Sequence, residues 1–264
     1  MAERHDHREV LLHAEDVVMQ FGGLRAVDGF KLTLHQGELV GLIGPNGAGK
    51  TTCFNCLTGV YKPTSGRVLI RGIDTKPLKP YQISALGMTR TFQNIRLFRE
   101  MNVIDNVIVA GLQHARHTDF DSIFRTPRHY VEEARLRERA MELLGIFDLK
   151  DKYDLKAGSL PYGDQRRLEI VRALATEPRM ILLDEPAAGM NNKETEDLMH
   201  LISKIKRDFN LTVLLIEHDM RLVMGICERI LVLDHGILIA EGTPSQIQND
   251  PKVITAYLGA EEQA

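Results

Sequence analysis

An α/β fold built on a mostly parallel sheet is predicted by three features of this 264-residue sequence. Apolar runs of strand length (Leu39-Val40-Gly41-Leu42-Ile43, Met180-Ile181-Leu182-Leu183, Thr212 to Ile216) alternate with stretches of helical periodicity. The first run enters a glycine-rich turn and then a helix, the local order of a strand, loop and helix unit. Between the first and second runs, from about 104 to 160, the chain changes character and becomes densely charged.

Taken in order, residues from about 10 to 80 read as short antiparallel strands beside the strand, loop and helix unit, with Val68-Leu69-Ile70 ending at Gly72. Val131 to Phe147 reads as a helix whose apolar stripe is Ala134, Met141, Leu144 and Phe147, so the charged stretch is a helical subdomain. Leu198, Leu201, Ile202 and Ile205 fall at i, i+3, i+4 and i+7 on a later helix. Ile230 to Leu233 and Ile237 to Ala240, parted by Asp234-His235-Gly236, predict a closing hairpin, and a short C-terminal helix follows from about Ser245. No repeat or low-complexity segment interrupts this order.

Composition excludes several classes. With 44% hydrophobic and 26% charged residues the chain is neither disordered nor a disulfide scaffold. Lys+Arg 33 against Asp+Glu 36 gives a formal charge of −3, and there is no Trp and no basic run interleaved with aromatics, which argues against a nucleic-acid partner. No stretch approaches the roughly 18 consecutive apolar residues of a membrane span. The start, MAERHDHREV, lacks the apolar core of a signal peptide, so a cytosolic protein is expected. Cys53, Cys56 and Cys227 are odd in number, as in a reducing compartment, and Cys53-x-x-Cys56 has no second pair to complete a metal site, so both read as buried helix residues. His5, His7 and His13 read as solvated residues of a polar N-terminus.

Chemistry is carried first by Gly44-Pro45-Asn46-Gly47-Ala48-Gly49-Lys50-Thr51-Thr52, which satisfies G-x-x-x-x-G-K-[ST] between a predicted strand and a predicted helix. Such a loop turns backbone N–H groups inward around phosphate oxygens and adds the positive end of a helix dipole. Lys50 is expected to reach the β- and γ-phosphates, and Thr51 a Mg²⁺ ion. A second acidic site decides among phosphate-loop enzymes. The run 180–183 ends in Asp184-Glu185, whose neighbouring side chains point in different directions, so Asp184 can serve Mg²⁺ while Glu185 faces the γ-phosphate and orients or deprotonates the attacking water. That is an ATPase arrangement. A GTPase fails at Asn192-Lys193-Glu194-Thr195, which has Thr where guanine reading needs Asp.

Leu160-Pro161-Tyr162-Gly163-Asp164-Gln165-Arg166-Arg167 resembles the signature segment of ATP-binding cassette (ABC) proteins. Other landmarks follow in the family's order: Phe21 where an aromatic stacks on adenine, Gln93 in Thr91-Phe92-Gln93, Ala188-Gly189-Met190-Asn191 as a dimer-contact loop, and His218 in Ile216-Glu217-His218-Asp219. The resemblance spans about 17 to 242. It implies a phosphate-loop NTPase core with an antiparallel β subdomain (about 8–93 and 176–242), an inserted helical subdomain (about 94–175) and a helical tail (about 243–264). It further implies ATP and Mg²⁺ as ligands, with Gln93 touching the metal or water and His218 reporting the γ-phosphate. Residues 160–164 would cap the ATP of a second cassette in a head-to-tail dimer. Two segments depart from the family pattern: Pro161 and Tyr162 replace Ser and Gly of L-S-G-G-Q, and Asn191 stands where Asp is usual.

These variants are similar to those of the ATP-binding subunits of branched-chain amino acid uptake systems, a likeness that extends to Arg90–Phe98 and to Gly242-Thr243-Pro244…Ala256-Tyr257-Leu258-Gly259. The implied partners are permease subunits in the membrane, a second cassette and, indirectly, a substrate-binding protein, with the chain held at the inner face of the membrane. Urea or short amides are the alternative cargo. A soluble cassette ATPase such as an iron–sulfur assembly factor is the alternative class. Repair heads are disfavoured because only 110 residues separate Lys50 from Leu160, with no heptads or zinc motif between them.

Overall fold

The computed structural model describes residues 8–114 and 126–261. The chain divides into two units, one running to Arg90 and resuming at Arg179, the other Thr91–Pro178. The second unit is three residues wider at each end than the helical subdomain expected at 94–175.

The first unit holds two sheets. One is four-stranded in the order β2-β1-β4-β5, with β1 Val10–Phe21, β2 Leu24–His35, β4 Ser65–Ile70 and β5 Ile73–Asp74, antiparallel throughout. The other is six-stranded in the order β10-β9-β3-β8-β7-β6. Its members are β3 Leu39–Ile43, β6 Met88–Arg90, β7 Met180–Asp184, β8 Thr212–Ile216, β9 Arg229–Asp234 and β10 Ile237–Gly242. Only the β9–β10 hairpin is antiparallel, turning at His235-Gly236. The three five-residue strands at the centre, β3, β7 and β8, are buried at every position, as a parallel sheet covered on both faces requires. Helix α1 (Lys50–Leu57) contributes Phe54 and Leu57 to a core shared with Phe30 of β2, Leu42 of β3 and Leu214 of β8. A side chain such as Phe54, fully withdrawn from water, contributes roughly 1.5 to 3 kcal/mol. Cys53 and Cys56 lie on the same buried side of α1, and burial raises the Cys56 thiol to about 11, so both are inert packing residues. Also in this unit are α2 Pro80–Ala85, α6 Asn192–Asp208, α7 Met220–Ile226, α8 Pro244–Gln248 and α9 Pro251–Glu261.

The second unit contains α3 Val103–Gly111, α4 Pro127–Ile146 and α5 Tyr162–Ala175, with two short helical turns at Lys150–Lys152 and Ala157–Ser159 between α4 and α5. Four expectations need correction. The buried stripe of α4 is Glu132, Leu136, Ala140, Leu143 and Leu144 leading to Phe147, whereas Ala134 is exposed and Met141 half-buried. Ala134 is two residues from Leu136, close to the opposite side of a helix, and the larger leucines take the core. On α6, Leu201 is half-buried while Thr195, Leu198, Ile202 and Ile205 face inward. The antiparallel strands β1 and β2 are twelve residues each rather than short. Their alternation is broken by register shifts, one at Asp16 with φ 45. His13 sits inside β1, its Nδ1 2.8 Å from Thr33 Oγ1 and its Nε2 2.9 Å from Glu15, so it is no part of a frayed end. His5 and His7 lie outside the described residues. Among the described residues no cluster of His, Cys, Asp or Glu could hold a metal ion by itself, and no helix is long and apolar enough to cross a membrane.

Candidate functional site

The phosphate loop runs from the end of β3 to the start of α1, and its glycines are dictated by close approach. A Cβ on Gly44 would meet the Leu233 carbonyl at 2.0 Å, and one on Gly49, whose φ is 98, would meet the Ala26 carbonyl at 2.4 Å. No other residue fits either place. The β9–β10 turn braces the loop from behind: Gly236 N–H donates to Ala48 O at 2.9 Å, and Asp28 N–H to Gly236 O at 2.9 Å. The resulting cleft of about 420 Å³ is lined by residues 46–52, Leu24, Arg25, Ala26, Glu185, His235 and Gly236. Lys50 lies buried at its floor, donating to the carbonyls of Gly44 at 2.6 Å and Pro45 at 2.9 Å. Burial pushes its ammonium below the usual lysine range, and the charge of Glu185 pulls the other way. Lys50 and Glu185 therefore share one cleft.

Asp184 ends β7 at 2% exposure, its Oδ2 accepting from Arg90 Nη2 at 2.6 Å. Glu185 follows with φ 47, a left-handed backbone that an L-residue holds at a cost of about 1 to 2 kcal/mol. Its N–H donates to Ile216 O at 2.9 Å, which pins the turn to the end of β8. His218 is 62% exposed, with Nδ1 3.9 Å from Glu185 Oε2 and 3.9 Å from Glu217 Oε2. Glu217 is fully buried and accepts from the N–H groups of Ala187 at 2.8 Å, His218 at 3.1 Å and Asp219 at 3.4 Å. Burial raises its carboxyl above the usual range, and these three donors oppose that rise. One carboxylate thus fixes both the segment after Glu185 and the segment bearing His218. Asn191 accepts from Lys193 and Glu194 N–H at 3.0 Å and caps α6, which is the physical use the structure gives that residue.

Phe21, at the end of β1, is 43% exposed and packs edge-on against Tyr61 with ring centroids 5.3 Å apart, so it is a surface aromatic and not a core one. It does not line the cleft beside Lys50.

In the second unit, Pro161 precedes the first turn of α5, with Leu160 buried before it and Tyr162 and Gly163 opening the helix. Asp164 is held by Lys152. Arg166 and Glu169, one turn further, form a buried ion pair at 3.2 Å. Their remaining contacts grip the segment that carries Gln93. Glu169 accepts from Phe92 N–H at 3.3 Å and Arg96 N–H at 3.4 Å, while Arg166 donates to Phe92 O at 2.8 Å, to Gln93 O, and to Tyr162 Oη at 3.1 Å. A groove of about 270 Å³ brings Gln93, Asn94, Tyr162 and Gln165 together. Glu169→Ala strips a buried guanidinium of its counter-charge and two amides of their acceptor, so it is expected to lower the unfolding free energy by about 3 to 5 kcal/mol. Urea denaturation checks this, and a loss no greater than that of an exposed substitution contradicts it.

The structure therefore brings residues 44–52, Asp184, Glu185 and His218 together on one unit, and Gln93 with residues 160–164 on the other. Arg90, Arg166, Glu169, Glu217, His235 and Gly236 were not singled out from the sequence. Glu169 inside Leu168-Glu169-Ile170-Val171, and Glu217 directly after an apolar run of five, were the available signals, because a charge in an apolar stretch is either at a surface or paired in the interior.

A glycine-rich phosphate cradle facing an acidic strand end, on a mostly parallel sheet, defines a phosphate-loop nucleotide-binding protein. The family model described as ABC transporter matches residues 27–188, and that of branched-chain amino acid ATP-binding cassette transporters matches 238–263. The chain is 50% identical over 249 residues to the high-affinity branched-chain amino acid transport ATP-binding protein LivG of Escherichia coli K12, covering 94% of this chain and 98% of that protein. It is 47% identical over 249 residues to BraF of Pseudomonas aeruginosa, a protein of the same description, with the same coverage. The ADP conformation of MJ1267, an ATP-binding cassette of an ABC transporter, superposes with a TM-score of 0.81 at 33% identity, covering 95% and 99% of the two chains. The dimeric bacterial ABC transporter cassette MJ0796 superposes at 0.74 with 27% identity, covering 89% of this chain and 99% of that one. The chain belongs to the ATP-binding cassettes of ABC transporters, and it is an ATPase that binds ATP.

Proposed function

We propose that this chain is the ATP-hydrolysing subunit of an importer for branched-chain amino acids, working as one of two cassettes beneath permease subunits at the inner face of the membrane. The observation that carries the reading is the cleft in which Lys50 and Glu185 meet, together with the likeness of residues 238–263 to cassettes of that importer class.

Within the cleft, residues 44–49 receive the phosphates on backbone N–H groups and Lys50 neutralises their outer charge. The Thr51 hydroxyl and the Asp184 carboxylate are hard oxygen donors that suit Mg²⁺, which when bound neutralises phosphate charge. Glu185 orients and deprotonates the attacking water. His218, anchored through the Glu217 contact to its own N–H, stands beside Glu185 and senses the γ-phosphate. Phe21 stacks on adenine. Residues 160–164 act across a cassette dimer, as the likeness to dimeric cassettes supports. Pro161 brings no hydroxyl there, so the N–H groups opening α5 serve instead. Gln93 and its groove meet the permease. A substrate-binding protein delivers the cargo, which never touches this chain.

The test is reconstitution of the chain with its co-purifying membrane subunits in liposomes. Hydrolysis is expected to rise when receptor loaded with leucine, isoleucine or valine is supplied. A response to urea or short amides alone would sink the cargo reading, and absence of membrane subunits from the purified complex would sink the importer reading.

A further inference from the structure

Arg90 is a buried cation that none of the sequence motifs explains. It is the last residue of β6, the edge strand of the six-stranded sheet, and the chain passes into the second unit at the next residue. Its register is decisive. Arg90 lies opposite Leu182 in parallel pairing, and Leu182 and Asp184 share one face of β7 because side chains alternate with period two. A long side chain at position 90 therefore reaches forward along the sheet to Asp184.

The guanidinium, 8% exposed, holds four partners at once. Nη2 donates to Asp184 Oδ2 at 2.6 Å, Nη1 donates to Asn55 Oδ1 at 2.6 Å and Thr58 Oγ1 at 3.4 Å, and Cζ lies 5.6 Å from the centre of the Phe54 ring. Phe54 and Asn55 belong to α1, the helix that opens with Lys50 and Thr51, and Thr58 closes it. One planar fork thus ties the acid at the end of β7 to the helix that follows the phosphate loop. A lysine, with a point charge on a flexible stem, does not match these divergent acceptors.

We propose that Arg90 is a positioning residue for hydrolysis, orienting the Asp184 carboxylate against the phosphate-loop helix and so setting how tightly the site takes the divalent cation that accompanies ATP. This rests on the reading of Asp184 as the metal-side acid. Two effects of Arg90 oppose each other. A cation beside Asp184 repels a divalent ion, which weakens metal binding, while an anchored carboxylate binds better than one free to turn. Partners that orient a metal ligand from behind are worth about 10- to 100-fold in metal affinity or activity, and orientation is taken as the larger effect because the same guanidinium that holds Asp184 Oδ2 is itself fixed by Asn55 and Thr58.

The experiment titrates Mg²⁺ into the full-length chain with a fluorescent ATP analogue and compares Arg90→Met, Arg90→Lys and Asp184→Asn. Arg90→Met is expected to raise half-saturating Mg²⁺ by about 10- to 100-fold, to leave Mg²⁺-free nucleotide affinity unchanged, and to lower kcat more than it changes KM. Arg90→Lys recovers only part of the loss. Unchanged or tighter Mg²⁺ binding in Arg90→Met overturns the proposal, since orientation by Arg90 would then contribute no more than its charge takes away. If Arg90→Met does not fold, Asn55→Leu takes away one anchor of the guanidinium and leaves its charge. A weaker Mg²⁺ response there supports the proposal and none overturns it. Asp184→Asn separates the two readings. If it leaves the Mg²⁺ dependence intact, the assignment of Asp184 fails and the Arg90 proposal with it. If it abolishes that dependence while the Arg90 and Asn55 variants match wild type, only the Arg90 proposal fails.

Discussion

Glu185→Gln is expected to lower ATP turnover by on the order of 10² to 10⁴ while leaving ATP binding intact, because it removes the carboxylate proposed to take a proton from water and preserves shape. The local structure supports so clean a separation. Glu185 is held by its backbone, through φ 47 and the N–H bond to Ile216 O, and Gln carries the same backbone at no new cost. The proposed phosphate contacts come from residues 44–51, which the substitution does not touch. With hydrolysis blocked and binding preserved, ATP should hold two chains together, so light scattering with ATP is expected to report a dimer in Glu185→Gln that the wild type forms only briefly. Turnover equal to wild type would remove Glu185 from the mechanism.

What could be read from the sequence, and what could not, divides by the distance along the chain over which each feature acts. The phosphate loop, the acids that end β7 and the hairpin at 234–236 were legible because their chemistry depends on spacings of a few residues. The groups that hold these pieces in place were not. Arg90 reaches Asp184 across 94 residues, and Arg166 reaches the Phe92 carbonyl across 74. Each looks in sequence like any surface arginine. Glu217 stands beside the recognised His218 yet was passed over, although its carboxylate is the one that fixes two site segments together. Two of the four residues expected in the α4 stripe were misplaced for a related reason, while Leu144 and Phe147 are buried. Ala134 and Met141 fit a heptad, but the core chose the leucines two positions along. Spacing alone identifies an amphipathic face only when the large side chains lie on it.

Lys50→Ala is expected to weaken ATP binding by on the order of 10²-fold, because at about 1.5 to 3 kcal/mol per charged hydrogen bond even one lost phosphate contact costs a decade or more. The structure adds a second consequence that a surface lysine would not have. The ammonium is engaged by the Gly44 and Pro45 carbonyls, so Lys50 also closes its own loop. Removing it should therefore lower the stability of the nucleotide-free chain by about 1 to 3 kcal/mol, as two buried carbonyls lose their donor. The two effects separate by measurement: calorimetric titration with ATP reports the affinity, and urea unfolding without nucleotide reports the loop. Lys50→Met, which keeps the length of the stem and loses only the charge and donors, should match Ala in affinity and recover part of the stability through packing. ATP affinity equal to wild type in either variant would show that the backbone N–H groups of residues 44–49 bind the phosphates unaided and would take Lys50 out of the site.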